Sequence, residues 1–156
     1  MNLLCDHMLG SLATWLRIFG YDTFYPNEMM NDEDILQVAR NEKRLLLSRD
    51  HALLLQAKKS LIPILEIQTT DLTEQLQLIL QKIPPNETLF LTRCTLCNTL
   101  LHLVPKEELK NKIPEKIYQT QDTFWTCSTC KKYYWMGTHY HHMKKRINTL
   151  RNNHLS

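Results

Sequence analysis

The opening residues lack what a secretory leader needs: no basic segment precedes an uninterrupted apolar run, and no small-residue cleavage site follows. Nor does any segment reach the roughly 18 consecutive apolar residues of a membrane span. These absences predict an intracellular, cytoplasmic chain without a membrane partner. They also count against disulfides, which persist in oxidising compartments. Internal repeats and low-complexity tracts are missing as well, so the chain reads as neither a solenoid nor a linker. One further absence is local. Glycine does not follow either of two Cys-x-x-Cys pairs; Asn98 and Lys131 stand there instead.

Those pairs, Cys94-Thr95-Leu96-Cys97 and Cys127-Ser128-Thr129-Cys130, are the most informative feature present. Each lies between segments that read as strands. A tight turn brings two sulfurs onto one face of a hairpin tip, and two such tips supply the four thiolates that Zn²⁺ holds at about 2.3 Å. All four positions are then filled by protein, so the ion would be structural. Rubredoxin-like iron takes the same spacing, and the missing glycines argue against it. Cys5, the odd cysteine, sits in an apolar strand and reads as core.

A chain of 156 residues, 43% hydrophobic, has room for one domain and an appendage. Its charge is uneven: residues 1–90 carry 8 Lys+Arg against 12 Asp+Glu, net −4, and residues 91–156 carry 11 against 4, net +7. Carboxylates able to hold a cation thus lie in front, and a surface able to hold a polyanion lies behind. A dipolar surface without any ligand would have the same composition.

The front half alternates short apolar runs with helical periodicity. Residues 2–5 read as a strand; Met8, Leu12, Trp15, Leu16 and Phe19 then share a helix face that Gly20 ends. Residues 22–25 are extended. A helix begins at Asn31 or Asp32, Leu45, Leu46 and Leu47 form a buried strand, and Asp50 opens a helix through Ala57. Residues 61–67 form another strand, and a last helix starts at Thr70 or Asp71. Strands alternating with helices predict α/β: a parallel sheet flanked by helices over residues 1–83, a linker over 84–92, and a small zinc-ribbon module over 93–156. That module reads as hairpins interrupted by a polar stretch from Pro105 to Pro114, closed by a basic helix from about His139 to Asn152.

Asp6, Asp32, Asp34 and Asp50 each fall at a strand-to-helix junction or in the first turn after one. In a parallel sheet such junctions share the carboxyl edge, where distant side chains converge. Carboxylates gathered there repel unless a hard cation such as Mg²⁺ or Mn²⁺ sits among them, and such an ion can activate water against a phosphodiester. Taken singly, each aspartate is equally an ordinary helix cap, worth about 1 kcal/mol.

At this point the residues resemble a family. Asp6-His7-Met8-Leu9-Gly10, Leu12-Ala13-Thr14-Trp15-Leu16-Arg17 and Gly20-Tyr21-Asp22-Thr23 look like the opening of the Mut-seven C-terminal RNase domain, a PIN-like nuclease family. The likeness continues through Asp32-Glu33-Asp34-Ile35-Leu36, Leu46-Leu47-Ser48-Arg49-Asp50, Arg93-Cys94, Cys97-Asn98, Phe124-Trp125, Cys127, Cys130, Tyr134-Trp135, Gly137 and His139. The resemblance implies a PIN-like α/β domain fused to a zinc ribbon, and a metal-dependent endoribonuclease. By position, Asp6, Asp32 and Asp50 match the acids that bind Mg²⁺ or Mn²⁺. Asp34 stands where the family often has Glu, and Ser48 replaces a common Thr. Asp71 offers a fourth acid but also fits a capping box with Glu74. PIN-like domains often pair, which leaves a homodimer open as a partner state, but no exposed stripe demands it.

Arg17 and Arg49 flank the acidic crevice in sequence and read either as phosphate clamps or as surface arginines. Around the cysteines, Phe124, Trp125, Tyr133, Tyr134, Trp135 and Tyr140 interleave with Lys131, Lys132, Lys144, Lys145 and Arg146. Aromatic faces stack on unpaired bases and cations follow phosphates, so this pattern suits single-stranded or looped RNA. Trp125 and Trp135 read equally as ribbon core. His139, His141 and His142 read as helix surface. Three functional readings follow: a hydrolytic RNase using Mg²⁺ or Mn²⁺ with a structural Zn²⁺, a noncatalytic RNA-binding adaptor, and an iron electron carrier.

Overall fold

The computed structural model describes residues 1–155, so the final residue of the expected C-terminal module, Ser156, lies outside it. β1 (Asn2–Cys5) leads through a 3-10 turn (His7–Leu9) into α1 (Gly10–Ile18), and β2 (Asp22–Phe24) into α2 (Asp32–Asn41). β3 (Leu45–Ser48) then precedes α3 (His51–Lys59), and β4 (Ile64–Glu66) precedes α4 (Leu72–Lys82). The four strands are parallel, in the order β2-β1-β3-β4.

Side-chain alternation along the strands separates two cores. Leu3, Cys5 and Leu47 face one, with Leu12, Leu16 and Phe19 of α1 and Leu76, Ile79 and Leu80 of α4. Leu4 and Leu46 face the other, with Ile35 and Leu36 of α2 and Leu53 and Ala57 of α3. The chain moves from β1 outward to β2, then returns past β1 to β3 and β4. Right-handed crossovers in opposite directions place α1 on one face and α2 and α3 on the other. The reversal falls between β1 and β3.

The helix starts are the polar residues expected. Asn31 caps α2 in a capping box closed by Asp34, Asp50 caps α3, and Asp71 caps α4; each such cap contributes about 1 kcal/mol. At α4 the box is only half formed, because the Glu74 carboxylate takes the Thr69 hydroxyl. Met8 departs from the sequence expectation. It lies in the 3-10 turn and is exposed, because the Asp6 carboxylate accepts its N–H and starts a tighter turn before α1.

Gly20 ends α1 at φ 85°, and a Cβ there would lie 2.3 Å from Leu89 O. The linker is packed rather than free: Leu91 N donates to Ile18 O, and Phe90 meets Phe19 edge-on at 5.5 Å.

β5 (His102–Val104), β6 (Phe124–Thr126) and β7 (Tyr133–Trp135) form an antiparallel sheet. The Pro105–Pro114 stretch, expected as merely polar, includes a 3-10 turn (Lys106–Leu109) that buries Leu109, and α5 (Glu115–Thr120) follows. α6 (Thr138–Leu155) packs on α4 and carries Ile147 and Leu150 into the core beneath α1. Its apolar face therefore lies against the parallel-sheet half while Lys144 and Lys145 stay exposed, and Arg146, also exposed, has its guanidinium 4.9 Å from the Trp15 ring centroid.

Candidate functional site

The carboxyl ends of β1 and β3, at the reversal of strand order, meet through one hydroxyl. Asp6 follows β1 and is buried; its Oδ1 accepts Met8 N–H at 2.9 Å, and its Oδ2 accepts the Ser48 hydroxyl and Arg49 N–H, the latter at 3.3 Å. Ser48 Oγ in turn accepts Asp50 N–H at 2.9 Å, and Asp50 Oδ1 accepts Leu53 N–H at 3.1 Å. Asp6 and Asp50 are thus tied through Ser48, which is fully buried. Sequence reading saw that hydroxyl only as a replacement for Thr. Its place between two acids is the signal that could have marked it.

The loop from β2 to α2 is fastened to the same edge. Tyr25 Oη donates to His7 O at 2.8 Å, and His7 Nε2 lies 2.9 Å from Asn27 O. Gly10 permits this closure, since a Cβ there would lie 3.0 Å from Tyr25 Oη. Asp32 stands exposed at the first position of α2, while Asp34 turns back to accept Asn31 N–H at 2.9 Å. The aspartates do not gather into a tight trio: among the described residues, only the four cysteines form a group of three or more side chains placed to hold a metal ion. Asp71 lies past β4, occupied in capping α4.

Arg49 and Arg17 differ sharply. Among the described residues no hydrogen bond or ion pair engages the Arg49 guanidinium, whereas Arg17 is buried and neither lines the edge nor faces water. Its Nε donates to Thr23 O, and its Nη1 to Thr95 O and Leu96 O, each at 3.0 Å. Arg17 therefore joins α1 to the first cysteine turn. Beside it, Asn98 Nδ2 donates to Asp22 Oδ1 at 2.8 Å, and Thr23 N donates to Asn98 Oδ1 at 2.9 Å. Arg44 Nη1 meets Asp22 Oδ1 at 2.7 Å, and Arg93 Nη2 lies 3.7 Å from Asp22 Oδ2. Burial alone would raise the Asp22 carboxyl; hydrogen bonds from Arg44 and Asn98 and the charges of Arg44 and Arg93 hold it below the usual carboxylate range.

The four sulfurs of Cys94, Cys97, Cys127 and Cys130 lie within 4.8 Å of one another. A tetrahedron with metal–sulfur bonds of 2.3 Å needs sulfurs about 3.8 Å apart, so the donor set fits Zn²⁺. Asn98 and Lys131 adopt φ 73° and 58°, the left-handed conformation that glycine commonly supplies. Their presence changes the residue, not the turn. At Cys97 burial raises the thiol, but the Thr99 hydroxyl and amide and the neighbouring Cys130 and Cys127 outweigh it and bring it to about 6. By contrast, burial and the adjacent Asp6 push the Cys5 thiol up, which keeps it an inert core residue.

Lys131, Lys132, Lys144 and Lys145 are all exposed, as are His139, His141 and His142. Lys132 Nζ stands 5.2 Å from the Tyr134 ring centroid. Phe124 is the aromatic that fills the small sheet's core; Trp125 and Trp135 are half-buried, with Trp135 edge-on to Phe124 at 6.5 Å. Among the described residues no helix is long and apolar enough to cross a membrane.

No curated protein and no solved structure matches the chain. The family model of the Mut7-C RNAse domain matches residues 1–147, which takes in the acidic edge, both cysteine pairs and most of α6. The chain belongs to the Mut7-C RNAse domain family.

Proposed function

We propose that this protein is a metal-dependent ribonuclease that hydrolyses RNA phosphodiester bonds at the carboxyl edge of its parallel sheet. The observation that carries the reading is the Asp6–Ser48–Asp50 connection at the reversal of strand order, the place where open α/β sheets bind ligands. Mg²⁺ is commonly held by one or two carboxylates, with water and substrate phosphate completing the shell; Asp6, whose carboxylate Ser48 ties to the Asp50 backbone, and Asp50 itself suit that demand without a tight trio. Each carboxylate oxygen has two acceptor sites, so the Oδ1 of Asp6 and of Asp50 keeps one beyond its backbone bond.

Asp6, Asp50 and the exposed Asp32 are the residues that would hold Mg²⁺ or Mn²⁺. Such an ion, when bound, lowers the pKa of its water and neutralises charge developing on the phosphate oxygens. Ser48 keeps Asp6 oriented, and the Asp34–Asn31 capping box presents Asp32 at the head of α2. The Arg49 guanidinium, without a partner among the described residues, positions the phosphate. Zn²⁺ on the four cysteines is structural, and Lys131, Lys132, Lys144 and Lys145 hold the RNA backbone.

The test is cleavage of end-labelled single-stranded and hairpin RNA by zinc-loaded protein, with and without Mn²⁺, beside the Asp6→Asn, Asp50→Asn double variant. Cutting by the wild type alone, and only with Mn²⁺, is expected. One observation favours a second reading: each junction acid except Asp32 is engaged as a cap. Retained binding with no cutting by either protein would replace the nuclease with an RNA-binding adaptor. A coloured preparation would put iron in place of zinc.

A further inference from the structure

Between β7, the first cysteine turn and α6 lies a cavity of about 240 Å³ whose walls are Tyr134, Trp135 and Tyr140. Drug-sized ligands take about 300 to 1,000 Å³, so this space suits one small planar group. We propose that it receives a single unstacked nucleobase of an RNA strand, an inference that rests on the RNA reading above.

The walls are held rigid before any ligand arrives. Tyr134 Oη lies 3.1 Å from Cys94 Sγ and accepts Thr95 N–H at 3.3 Å, which fixes the ring against the cysteine turn. The Trp135 indole lies over Gly137, where a Cβ would stand 2.8 Å from its Nε1. Only glycine leaves that ring where it is. A pre-positioned aromatic wall binds a base face without ordering cost and without regard to sequence.

The lining includes a cation: Lys132 belongs to it, with its Nζ 5.2 Å from the Tyr134 ring centroid. A base entering the cavity brings its phosphate to the lysine, which agrees with the net charge of +7 that 11 Lys+Arg against 4 Asp+Glu give residues 91–156. Ile18 and Met143 also line the cavity, apolar groups that suit a π-face better than a ribose. α1 connects the cavity to the acidic edge: Thr14 lines the cavity, and Gly10, four residues earlier and about 6 Å along the helix axis, begins the helix just after Asp6.

Binding is tested in the Asp6→Asn, Asp50→Asn background with zinc bound and no other divalent ion. The probe is a ten-nucleotide single strand containing 2-aminopurine, with a blunt duplex of the same sequence for comparison. The expected result is quenching of 2-aminopurine on binding. Tyr140→Ala should weaken the single strand about 5- to 150-fold, the range for one stacked base, with duplex affinity changed less than twofold. Lys132→Ala, at an exposed position that leaves folding and zinc content intact, should make the salt dependence shallower by about 0.7 in log–log slope. Unquenched 2-aminopurine, or single-strand affinity within twofold of the parent in both variants, would overturn the proposal. So would a Tyr140→Ala protein that loses a concentration-dependent dimer but keeps its RNA affinity, since the cavity would then belong to a second copy. Affinity and quenching require no cleavage. Binding and quenching in this background beside a wild type that fails to cut with Mn²⁺ therefore refutes the nuclease reading alone, and a wild type that cuts while both variants keep the parent's affinity refutes the cavity alone.

Discussion

Replacing Ser48 by alanine removes the hydroxyl that Asp6 Oδ2 and Asp50 N–H share. The site is buried, so water does not substitute, and a buried group deprived of its partner costs about 1–3 kcal/mol. Ser48→Ala should lower unfolding stability by that amount in urea, and should reduce cleavage further than the stability loss explains because Asp6 is no longer held. Gly20 tests the backbone instead. Its φ of 85° is strained for any side chain, and a Cβ would strike Leu89 O. A left-handed non-glycine residue costs about 1–3 kcal/mol before any clash, so Gly20→Ala should destabilise the chain by more than about 2 kcal/mol in the same measurement. Gly20 and Arg17 are unequally legible. Gly20 was read correctly as the end of a helix, because helix ends are local. Arg17 was read as a surface or phosphate-binding group, because nothing local shows that its guanidinium meets carbonyls nearly 80 positions away.

At the scale of elements, the alternation of leucine runs with capped helices was readable because each signal acts within a few residues. Asn31, Asp50 and Asp71 stand where they were expected, at the head of a helix. The basic helix was also expected, but an amphipathic pattern says that one face is covered and not by what. Ile147 and Leu150 of α6 cover the parallel-sheet core. The cysteine turn has a similar reach. Asn98 accepts Thr23 N–H on the edge strand β2, so losing the ion that shapes the turn should be felt in β2. Chelation of zinc is expected to raise hydrogen exchange at the Thr23 amide and to lower the thermal stability of the sheet domain; an unchanged Thr23 rate would refute the coupling.

For the whole molecule, the apolar packing of α6 on the sheet domain is joined by a polar contact at Asp22 that carries a pH signature. Asp22 gathers Arg44, Arg93 and Asn98, which together depress its carboxyl. A carboxyl lowered by folding contributes stability above its unfolded value of about 3.9. That contribution disappears as the pH falls through the folded value. Asp22→Asn should therefore be less stable than wild type near neutral pH, and the difference should shrink to nothing under more acidic conditions, as followed by urea unfolding of both proteins at each pH. The acidic edge was legible only in part. Topology brings the junctions to one side of the sheet, but how closely carboxylates approach depends on caps and loops, and Asp34 is drawn into its capping box.

Arg17 grips Thr95 and Leu96 through their peptide oxygens and ignores both side chains. Recognition by backbone shape has an evolutionary corollary. The exposed Leu96 can drift among many residue types without loosening the joint, whereas one residue inserted between Cys94 and Cys97 would swing both carbonyls away from α1. A library randomised at position 96 should return mostly stable proteins, and a library of single insertions in that turn should return almost none.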